Sequence, residues 1–209
     1  YKLFFSWTGD LLEHYFTNNQ NLKSELREVD FENEGSVFTF FSDLGVFSKN
    51  HVDYGSRLLV KAVLKEKKEA SSILDVGCGY GFIGIVLAKH FQCQVDMTDV
   101  NKRAIHLCEK NIEKNKVQGT AFLSDAYENV SKKYDLIVTN PPIRAGKKIV
   151  LKILLEARNF LEKDGELWFV IRKDQGVKSI MKEIQDKYRL ELITKDKGFY
   201  IIRSKSVDK

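Results

Sequence analysis

Proline and cysteine are both scarce in this chain, which has two prolines and three cysteines among its 209 residues. An odd number of cysteines without CxxC spacing argues against a disulfide framework or a zinc site and indicates a reducing compartment. The apolar runs are far shorter than the ~20 residues that a membrane-spanning helix needs. With 43% hydrophobic residues, the chain is expected to be an ordered, cytoplasmic globular protein with no membrane span and no metal site.

The charge of the chain is mildly basic. A formal net charge of +5 is compatible with a nucleic-acid partner but does not establish one. The lysine-rich stretches 65–68 and 114–116 are short or mixed with acidic residues. They are therefore more typical of solvated helix ends than of an RNA-binding surface.

From residue 71 onward, strand-like and helix-like segments alternate along the chain. The predicted strands are Ser72–Val76, Gln94–Asp99, Thr120–Leu123, Tyr134–Thr139, Glu166–Ile171, Leu190–Thr194 and Phe199–Arg203, and the predicted helices are Phe82–Phe91, Lys102–Asn115, Lys147–Leu161 and Val177–Tyr188. Short apolar strands separated by amphipathic helices indicate an α/β protein with a mostly parallel sheet covered on both faces. The turn 195–198 is too short for a crossover helix, so the last two strands form a hairpin and one strand runs antiparallel.

The first 69 residues follow a different pattern. Segments 24–33 and 36–41 flank Glu34-Gly35, which predicts a β-hairpin, and apolar residues at helical spacing predict a helix over 53–69. No linker rich in proline or serine separates them from the rest. We therefore predict that residues 1–69 form an N-terminal extension packed on a single ligand-binding α/β domain of residues 70–209.

A glycine-rich segment, Asp75-Val76-Gly77-Cys78-Gly79-Tyr80-Gly81, lies where the first of these parallel strands passes into a helix. Glycine lets the backbone turn tightly and approach a ligand beside a helix N-terminus. Gly79, Gly81 and Gly84 also match the dinucleotide pattern G-x-G-x-x-G, which is a weak signal on its own. We interpret the segment as a cofactor-binding loop, in which Cys78 is a small buried residue without a reactive role.

Three carboxylates, Asp75, Asp99 and Asp125, lie at the ends of successive predicted strands. Ligands of open α/β sheets bind at the edge formed by the carboxyl ends of the strands. Asp75 would repel a pyrophosphate but attract the ammonium group of methionine, which favours S-adenosylmethionine over NAD. Asp99 is suited to accept hydrogen bonds from the ribose hydroxyls, and Asp125 from the adenine amino group. Taken singly, each carboxylate could instead be a helix N-cap or a turn residue.

The two prolines stand side by side in Asn140-Pro141-Pro142-Ile143, directly after the fourth parallel strand. Proline has no N–H and holds the preceding residue extended, so this segment is a stiff ledge that presents an amide and backbone carbonyls. The Asn140 side-chain oxygen and the Pro141 carbonyl can each accept one N–H of an exocyclic amine and aim the nitrogen lone pair at a methyl group. Asn140 and Pro141 are therefore the predicted catalytic residues.

Three motifs together resemble one methyltransferase family. They are Gly45-Val46-Phe47-Ser48 with the following Val52-Asp53-x-Gly55-Ser56-Arg57-Leu58-Leu59, the loop Asp75–Gly81, and Asn140-Pro141-Pro142-Ile143-Arg144-Ala145-Gly146. This combination is similar to class I S-adenosylmethionine-dependent methyltransferases of the methyltransferase small domain, and especially to RsmC-like guanine-N2 methyltransferases of small-subunit ribosomal RNA. The resemblance covers roughly residues 14–204.

The resemblance implies a seven-stranded Rossmann-like sheet, S-adenosyl-L-methionine as cofactor, and a guanine amine in ribosomal RNA or the small ribosomal subunit as acceptor. It also places Phe47 near the cofactor pocket. The expected cofactor-binding residues are Phe47, Asp75, Gly77, Cys78, Gly79, Gly81, Asp99, Val100, Asp125, Ala126 and Asn140, and the expected substrate-binding residues are Pro142, Ile143 and Arg144.

Alternatives to this function differ in the acceptor. Better-studied members look like two tandem copies of the domain, and this chain has room for one. Ile143 stands where an aromatic residue is common, which argues mildly against adenine-N6 and protein glutamine-N5 methylation, because a flipped adenine commonly stacks on an aromatic ring there. A cofactor-binding RNA assembly module is the non-enzymatic alternative. Residues 144, 147, 148 and 172–176 are either RNA contacts or solvated loops.

Overall fold

The computed structural model describes residues 25–33, 35–43 and 52–207. The strands in these ranges are β1 (Arg27–Asn33), β2 (Ser36–Ser42), β3 (Ser72–Val76), β4 (Gln94–Asp99), β5 (Gly119–Leu123), β6 (Tyr134–Thr139), β7 (Leu161–Arg172), β8 (Tyr188–Asp196) and β9 (Phe199–Ser206). The α-helices are α1 (Tyr54–Glu66), α2 (Phe82–Phe91), α3 (Lys102–Asn115), α4 (Lys147–Glu156) and α5 (Val177–Ile184). Each element predicted from the sequence has a counterpart here.

Seven strands form one sheet in the order β5-β4-β3-β6-β7-β9-β8. Strand β9 runs antiparallel to both of its neighbours, and the pairs among β3, β4, β5, β6 and β7 are parallel. The predicted mostly parallel sheet with one antiparallel strand is therefore confirmed. The sequence did not predict that β9 would lie inside the sheet, between β7 and the edge strand β8.

The strand order places a crevice at the centre of the sheet. The chain runs outward from β3 to β5 and then returns to add β6 on the other side of β3. Ligands of such sheets bind outside the carboxyl ends of the strands at this reversal point. Residues that follow β3 and β6 therefore face each other across the crevice.

Each face of the sheet is covered by helices and forms its own core. Along β6, Leu136 and Val138 belong to the core beneath α1, α2 and α3, and Ile137 belongs to the core beneath α4 and α5. This alternation is the period of two that a strand imposes on its side chains. All three side chains are fully buried, which explains the apolar run 136–138 in the middle of β6.

Two helices end earlier than predicted. The helix predicted over 147–161 ends at Glu156 and is followed by a 3-10 turn over 157–159, and the helix predicted over 177–188 ends at Ile184, a few residues before β8. Strand β7 begins at Leu161 and not at residue 166. Neither helix is followed directly by glycine or proline, so the sequence carries no stop signal at either boundary.

The predicted hairpin is formed by β1 and β2, and it is attached to helix α3 by two asparagines. Asn111 accepts a hydrogen bond from the Phe41 N–H at 2.7 Å and donates one to the Phe41 carbonyl at 3.0 Å. Asn115 pairs in the same way with the backbone of Thr39, at 3.3 and 3.0 Å. The amides thus satisfy an exposed strand edge. The division of the chain at residue 69 stays a prediction.

Replacing Asn111 by alanine should destabilise the protein more than any other single change in this contact. Asn111 is fully buried, and it also donates to the Tyr80 carbonyl of the glycine-rich loop at 2.8 Å. The substitution leaves one buried and two half-buried backbone groups without partners, and we expect the free energy of unfolding to fall by about 3 kcal/mol. Urea denaturation measures this loss, and Asn115→Ala, at a half-buried position, should lose about 1 kcal/mol.

Candidate active site

The glycine-rich loop after β3 is attached to the end of β4. The N–H groups of Gly77 and Cys78 donate to the Thr98 carbonyl at 2.8 and 2.9 Å. The N–H of Gly79 donates to Oδ2 of Asp99 at 2.9 Å. The loop therefore takes its shape from the neighbouring strand, and one of the predicted carboxylates is part of that attachment.

The glycines of the loop serve two purposes. Gly77 and Gly79 have φ angles of +72° and +57°, and a Cβ atom added to either would meet nothing within 4 Å. Open space therefore lies beside both, where a ligand can approach the backbone. At Gly81, by contrast, an added Cβ would lie 2.6 Å from Cys108 Sγ. Gly81 is required by packing against α3, and it lines the core.

Asp75 is fully buried at the end of β3. Its Oδ2 accepts a hydrogen bond from the Gly84 N–H at 2.8 Å, and its buried Oδ1 has no hydrogen-bond partner among the described residues. The pKa of this carboxyl is raised to about 7, because burial and, to a smaller extent, the Asp99 charge raise it more than the Gly84 hydrogen bond lowers it. An unpartnered buried oxygen at the ligand-binding edge fits a cationic ligand group.

Asp99 ends β4 and holds its carboxylate between two backbone donors. Oδ2 accepts from Gly79, and Oδ1 accepts from the Asn101 N–H at 2.9 Å. Burial raises the pKa of Asp99, and these N–H groups together with that of Val100 oppose the rise. Each oxygen retains a lone pair that a hydroxyl can use. Asn101, and not Asp99, is the N-cap of α3.

Asp125 differs from the other two carboxylates because it is exposed. Its Oδ2 forms an ion pair with Lys152 of α4 at 3.0 Å, a partner that the sequence did not reveal. The following residue, Ala126, is buried and has a left-handed φ of +50°, and its carbonyl accepts a hydrogen bond from the Ser124 hydroxyl at 3.0 Å. The turn after β5 is therefore ordered by local hydrogen bonds, and its adenine contact stays a prediction.

Asn140 lies across the crevice from the loop. The Thr139 hydroxyl donates to the Val76 carbonyl at 2.7 Å and so ties the end of β6 to the end of β3. The Asn140 Nδ2 donates to Asp53 Oδ2 and to Ser56 Oγ, both at 3.0 Å. Side chains from the start of α1 thus hold the amide beside the glycine-rich loop.

The contact with Asp53 sets the orientation of the Asn140 amide. The reverse orientation would bring the amide oxygen against a carboxylate oxygen, which is unfavourable, so the nitrogen faces Asp53 and Oδ1 points away from it. Neither Asn140 Oδ1 nor the Pro141 carbonyl accepts a hydrogen bond from any residue that the structure describes. Both predicted acceptors thus lack a hydrogen-bond partner in this part of the chain, and their contact with a substrate stays a prediction.

Asp53 and Ser56 are the site residues that our sequence reasoning missed. Asp53 is the N-cap of α1, and its Oδ2 also accepts from the Ser56 N–H at 2.8 Å. Both residues belong to the motif that carried the family resemblance, but their separation from Asn140 by more than 80 positions gives no sign of contact. The N-cap pattern is the one available signal, and it predicts only a helix start.

The ledge itself continues into a short 3-10 turn over residues 143–145. Pro141 is buried, and the Pro142 carbonyl accepts a hydrogen bond from the Ala145 N–H at 2.9 Å. Ile143 is half-buried against the core beneath α4 and α5, and Arg144 is exposed. The structure thus packs Ile143 against this core, and its contact with the substrate stays a prediction.

Three further expectations concern features other than the carboxylates and the ledge. Phe47 lies outside the described residues. Cys78 is buried, and burial raises the pKa of its thiol well above the usual value, so the thiol stays protonated. Within the described ranges, no group of three or more His, Cys, Asp or Glu side chains is arranged to hold a metal ion, and no helix is long and apolar enough to cross a membrane.

Comparisons of sequence identify relatives of this chain. Residues 37–203 match the family model of the methyltransferase small domain. The uncharacterized protein YbxB of Bacillus subtilis is 42% identical over 200 residues, which cover 93% of this chain and 99% of that protein. Ribosomal RNA small subunit methyltransferase C of Haemophilus ducreyi is 34% identical over 137 residues, 63% of this chain and 42% of that protein. The chain thus spans about half the length of the RsmC relatives it matches.

Solved structures share the fold. The Thermus thermophilus 16S rRNA N2 G1207 methyltransferase RsmC, in complex with AdoMet and guanosine, matches with a TM-score of 0.78 and 23% identity over 89% of this chain and 52% of that chain. A ribosomal protein L11 methylase from Lactobacillus delbrueckii matches with a TM-score of 0.65 and 19% identity over 76% of this chain and 85% of that one. The family match covers most of the chain, and the chain therefore belongs to the methyltransferase small domain family of class I methyltransferases, whose cofactor is S-adenosylmethionine.

Proposed function

We propose that this methyltransferase modifies the exocyclic N2 amine of a guanine in small-subunit ribosomal RNA. The observation that carries the proposal is the Asn140 amide, held by Asp53 and Ser56 with its oxygen left available beside the Pro141 carbonyl. Two acceptors on a rigid ledge match the two N–H bonds of a primary amine. The names of the RsmC relatives support the choice of ribosomal RNA.

The catalytic contribution of the ledge is orientation. S-adenosylmethionine supplies a methyl group bonded to a positively charged sulfur. The lone pair of a guanine amine is delocalised into the ring, and hydrogen bonds to Asn140 Oδ1 and the Pro141 carbonyl draw the nitrogen towards tetrahedral geometry. The freed lone pair can then face the methyl group in line. No strong base is required, because an alkylated amine nitrogen loses its proton readily.

The residues that would hold the cofactor fit it in charge and in space. Asp75 presents an unpartnered buried oxygen that suits an ammonium group, and Gly77 and Gly79 leave open space beside the loop. Asp99 retains acceptor capacity for ribose hydroxyls. Val100 leaves 41% of its surface exposed at the same edge, where an apolar side chain can cover one face of the adenine. Asp125 and Ala126 complete the expected adenine contacts.

Ile143 supports guanine over the alternative acceptors. Its aliphatic side chain provides a wall without the stacking surface that a flipped adenine uses. A glutamine amide in a protein also carries two N–H bonds, so the ledge alone does not separate the two substrates. The proposal therefore depends on a direct test of the acceptor class.

The acceptor class is tested by incubating the protein with radiolabelled S-adenosylmethionine and separate pools of naked 16S rRNA, 30S subunits and release factors. We expect label in the RNA of at least one of the first two pools. The use of both pools shows whether the assembled subunit is needed. Label confined to release factors would overturn the proposal and favour glutamine methylation.

The affinity for S-adenosylmethionine should weaken on acidification because of Asp75. In the free protein the pKa of this carboxyl is about 7, and a bound ammonium favours the ionised form, so binding below pH 7 must release a proton. We expect the dissociation constant to be roughly tenfold larger at pH 6 than at pH 7.5. Calorimetry in two buffers of different ionisation enthalpy measures the constant and counts the proton.

Asp75→Asn is the control for this pH dependence. The variant should bind S-adenosylmethionine more weakly than the wild type at pH 7.5. Its dissociation constant should be nearly the same at pH 6 and pH 7.5, because it has no carboxyl to titrate. Because the folded-state pKa lies above the unfolded one, the contribution of Asp75 to stability decreases as the pH rises from about 4 to about 7. If the affinity of the wild type and that of Asp75→Asn depended on pH in the same way, Asp75 would not bind the ammonium group.

A further inference from the structure

Five side chains form a surface cluster of two aromatic rings and three cations. They are Tyr54, Arg57, Arg172, Lys197 and Phe199, and we refer to them as the aromatic–cation cluster. The Tyr54 and Phe199 ring centroids are 5.6 Å apart. Lys197 Nζ and Arg57 Cζ lie 4.7 and 5.6 Å from the centroid of the Tyr54 ring, and Arg172 Cζ lies 5.4 Å from that of Phe199. Each cation thus rests on a ring.

The cluster lies beside the methyl-transfer ledge. Tyr54 follows Asp53, the residue whose carboxylate holds the Asn140 amide. Arg172 ends β7, and β7 is the neighbour of the strand that leads into Asn140. The Lys173 N–H donates to the Gly198 carbonyl at 2.7 Å and attaches the β8–β9 turn to the same end of the sheet.

Two of the three cations in the cluster are held by aromatic rings and not by a described carboxylate. In the described part of the chain, no carboxylate forms an ion pair with Arg57 or Lys197, whereas Arg172 pairs with Asp174 at 2.9 Å. A carboxylate partner neutralises a cation, but an aromatic ring does not, and the N–H donors stay available to an anion. Lys152, by contrast, forms ion pairs with Asp125 and Glu128.

The rings that hold these cations are fixed in place. A Cβ atom added to Gly55 would lie 2.8 Å from Phe199 Cε1, so helix α1 packs directly against that ring. The Tyr54 hydroxyl donates to Asp196 in the turn region of the hairpin. Long cationic side chains usually lose conformational freedom on binding, and prior contact with a fixed ring reduces that cost.

We propose that the aromatic–cation cluster binds the sugar–phosphate backbone of the RNA nucleotides next to the methylated guanine. This inference rests on the proposed function. A guanine amine can reach the ledge only if the base is splayed out of its helix, and the adjoining phosphates then lie at the entrance to the site. Guanidinium groups match phosphate oxygens in geometry, and Lys197 adds a third positive charge.

The test measures RNA binding in the absence of S-adenosylmethionine. The probe is a fluorescein-labelled single-stranded RNA of 12 nucleotides with one central guanine, followed by anisotropy at several salt concentrations. We expect the double variant Arg172→Ala/Lys197→Ala to bind about tenfold more weakly at low salt. The slope of log affinity against log salt should fall by about 0.7 for each lost phosphate contact.

The matched control removes the same charges from the opposite edge of the sheet. Lys133 precedes β6 and Arg189 lies at the start of β8, and both are exposed. The double variant Lys133→Ala/Arg189→Ala should bind the RNA within twofold of the wild type. Tyr54→Leu, which removes a ring but no charge, should weaken binding with little change in the salt slope. If all variants have the same thermal midpoint as the wild type, unfolding is excluded as the cause of weaker RNA binding.

Two results would overturn the inference. One is an unchanged affinity and salt slope in Arg172→Ala/Lys197→Ala. The other is equal competition by a polyglutamate peptide of matched charge, which would identify the cluster as a general acidic-partner site. Because the binding assay requires no methyl transfer, its failure is distinguishable from the failure of the proposed function, which is read from label in ribosomal RNA.

Discussion

Replacing Asn140 by alanine is expected to lower kcat for methyl transfer by about 10²–10³-fold, the range observed when one preorganised hydrogen-bonding group is removed from an active site. The substitution removes one of the two acceptors that orient the amine, and the Pro141 carbonyl alone cannot hold both N–H bonds. Binding of S-adenosylmethionine should change far less, because the charged and glycine contacts of the cofactor remain. Single-turnover kinetics and calorimetry measure the two quantities separately.

Asn140→Asp is the informative companion of this substitution. It keeps the size of the side chain and an acceptor oxygen, but it places a second carboxylate against Asp53. Like charges at this distance repel, so the side chain should turn away and the activity should fall as in Asn140→Ala. Wild-type kcat in either variant would show that the ledge does not orient the amine.

Replacing Asp53 by alanine is expected to lower kcat by about 10²-fold, which is the usual cost of misplacing a catalytic group by about 1 Å. Asp53 acts as a positioning residue, because its carboxylate directs the Asn140 nitrogen and thereby the Asn140 oxygen. The variant also loses the N-cap of α1, which should reduce the free energy of unfolding by about 1 kcal/mol. Steady-state kinetics at a temperature well below the thermal midpoint separate the two effects.

Asp53→Asn distinguishes positioning from a purely structural role. An asparagine oxygen can still cap α1 and accept from the Asn140 amide, so this variant should retain most of the activity. Ser56→Ala removes one of the two hydrogen bonds to Asn140 and should have an intermediate kcat. If Asp53→Ala and Asp53→Asn lost kcat equally, or if only the KM for RNA changed, Asp53 would not position Asn140.

Local sequence signals were sufficient for most of the sheet. The apolar segments 73–74 of β3 and 136–138 of β6 are fully buried, so each is continuous in the sequence, and β6 is followed by Asn140-Pro141. The antiparallel strand also followed from local information, because the turn 195–198 leaves no length for a crossover. The position of β9 inside the sheet depends on long-range pairing, which no local pattern contains.

The site could be predicted only in part for the same reason. Asp75 and Asp99 lie at the ends of strands and Asn140 follows one, and parallel strands bring their carboxyl ends to one edge, so topology alone groups these residues. The contacts of Asp53 with Asn140 and of Lys152 with Asp125 join helices to strand ends. Such contacts depend on how each helix is rotated on the sheet. The periodicity of apolar residues does not determine which polar side chain of a helix contacts a given strand end.

The aromatic–cation cluster could not be predicted from the sequence either, because its residues come together only in the folded chain. Its members come from α1, the end of β7 and the β8–β9 hairpin, and the stretch that includes Arg172 was as compatible with a solvated loop as with an RNA contact. The structure brings these cations onto two rings beside the ledge. Charge clustering in space, which net charge does not reveal, thus provides the argument for an RNA-binding role.

The most direct test of the central claim is to identify the methylated nucleoside. The labelled ribosomal RNA is digested to nucleosides after incubation with wild type or Asn140→Ala, and the products are resolved by chromatography and mass spectrometry. We expect N2-methylguanosine with the wild type and its near absence with Asn140→Ala. Methylation of adenosine N6, or equal amounts of N2-methylguanosine from both proteins, would contradict the central claim.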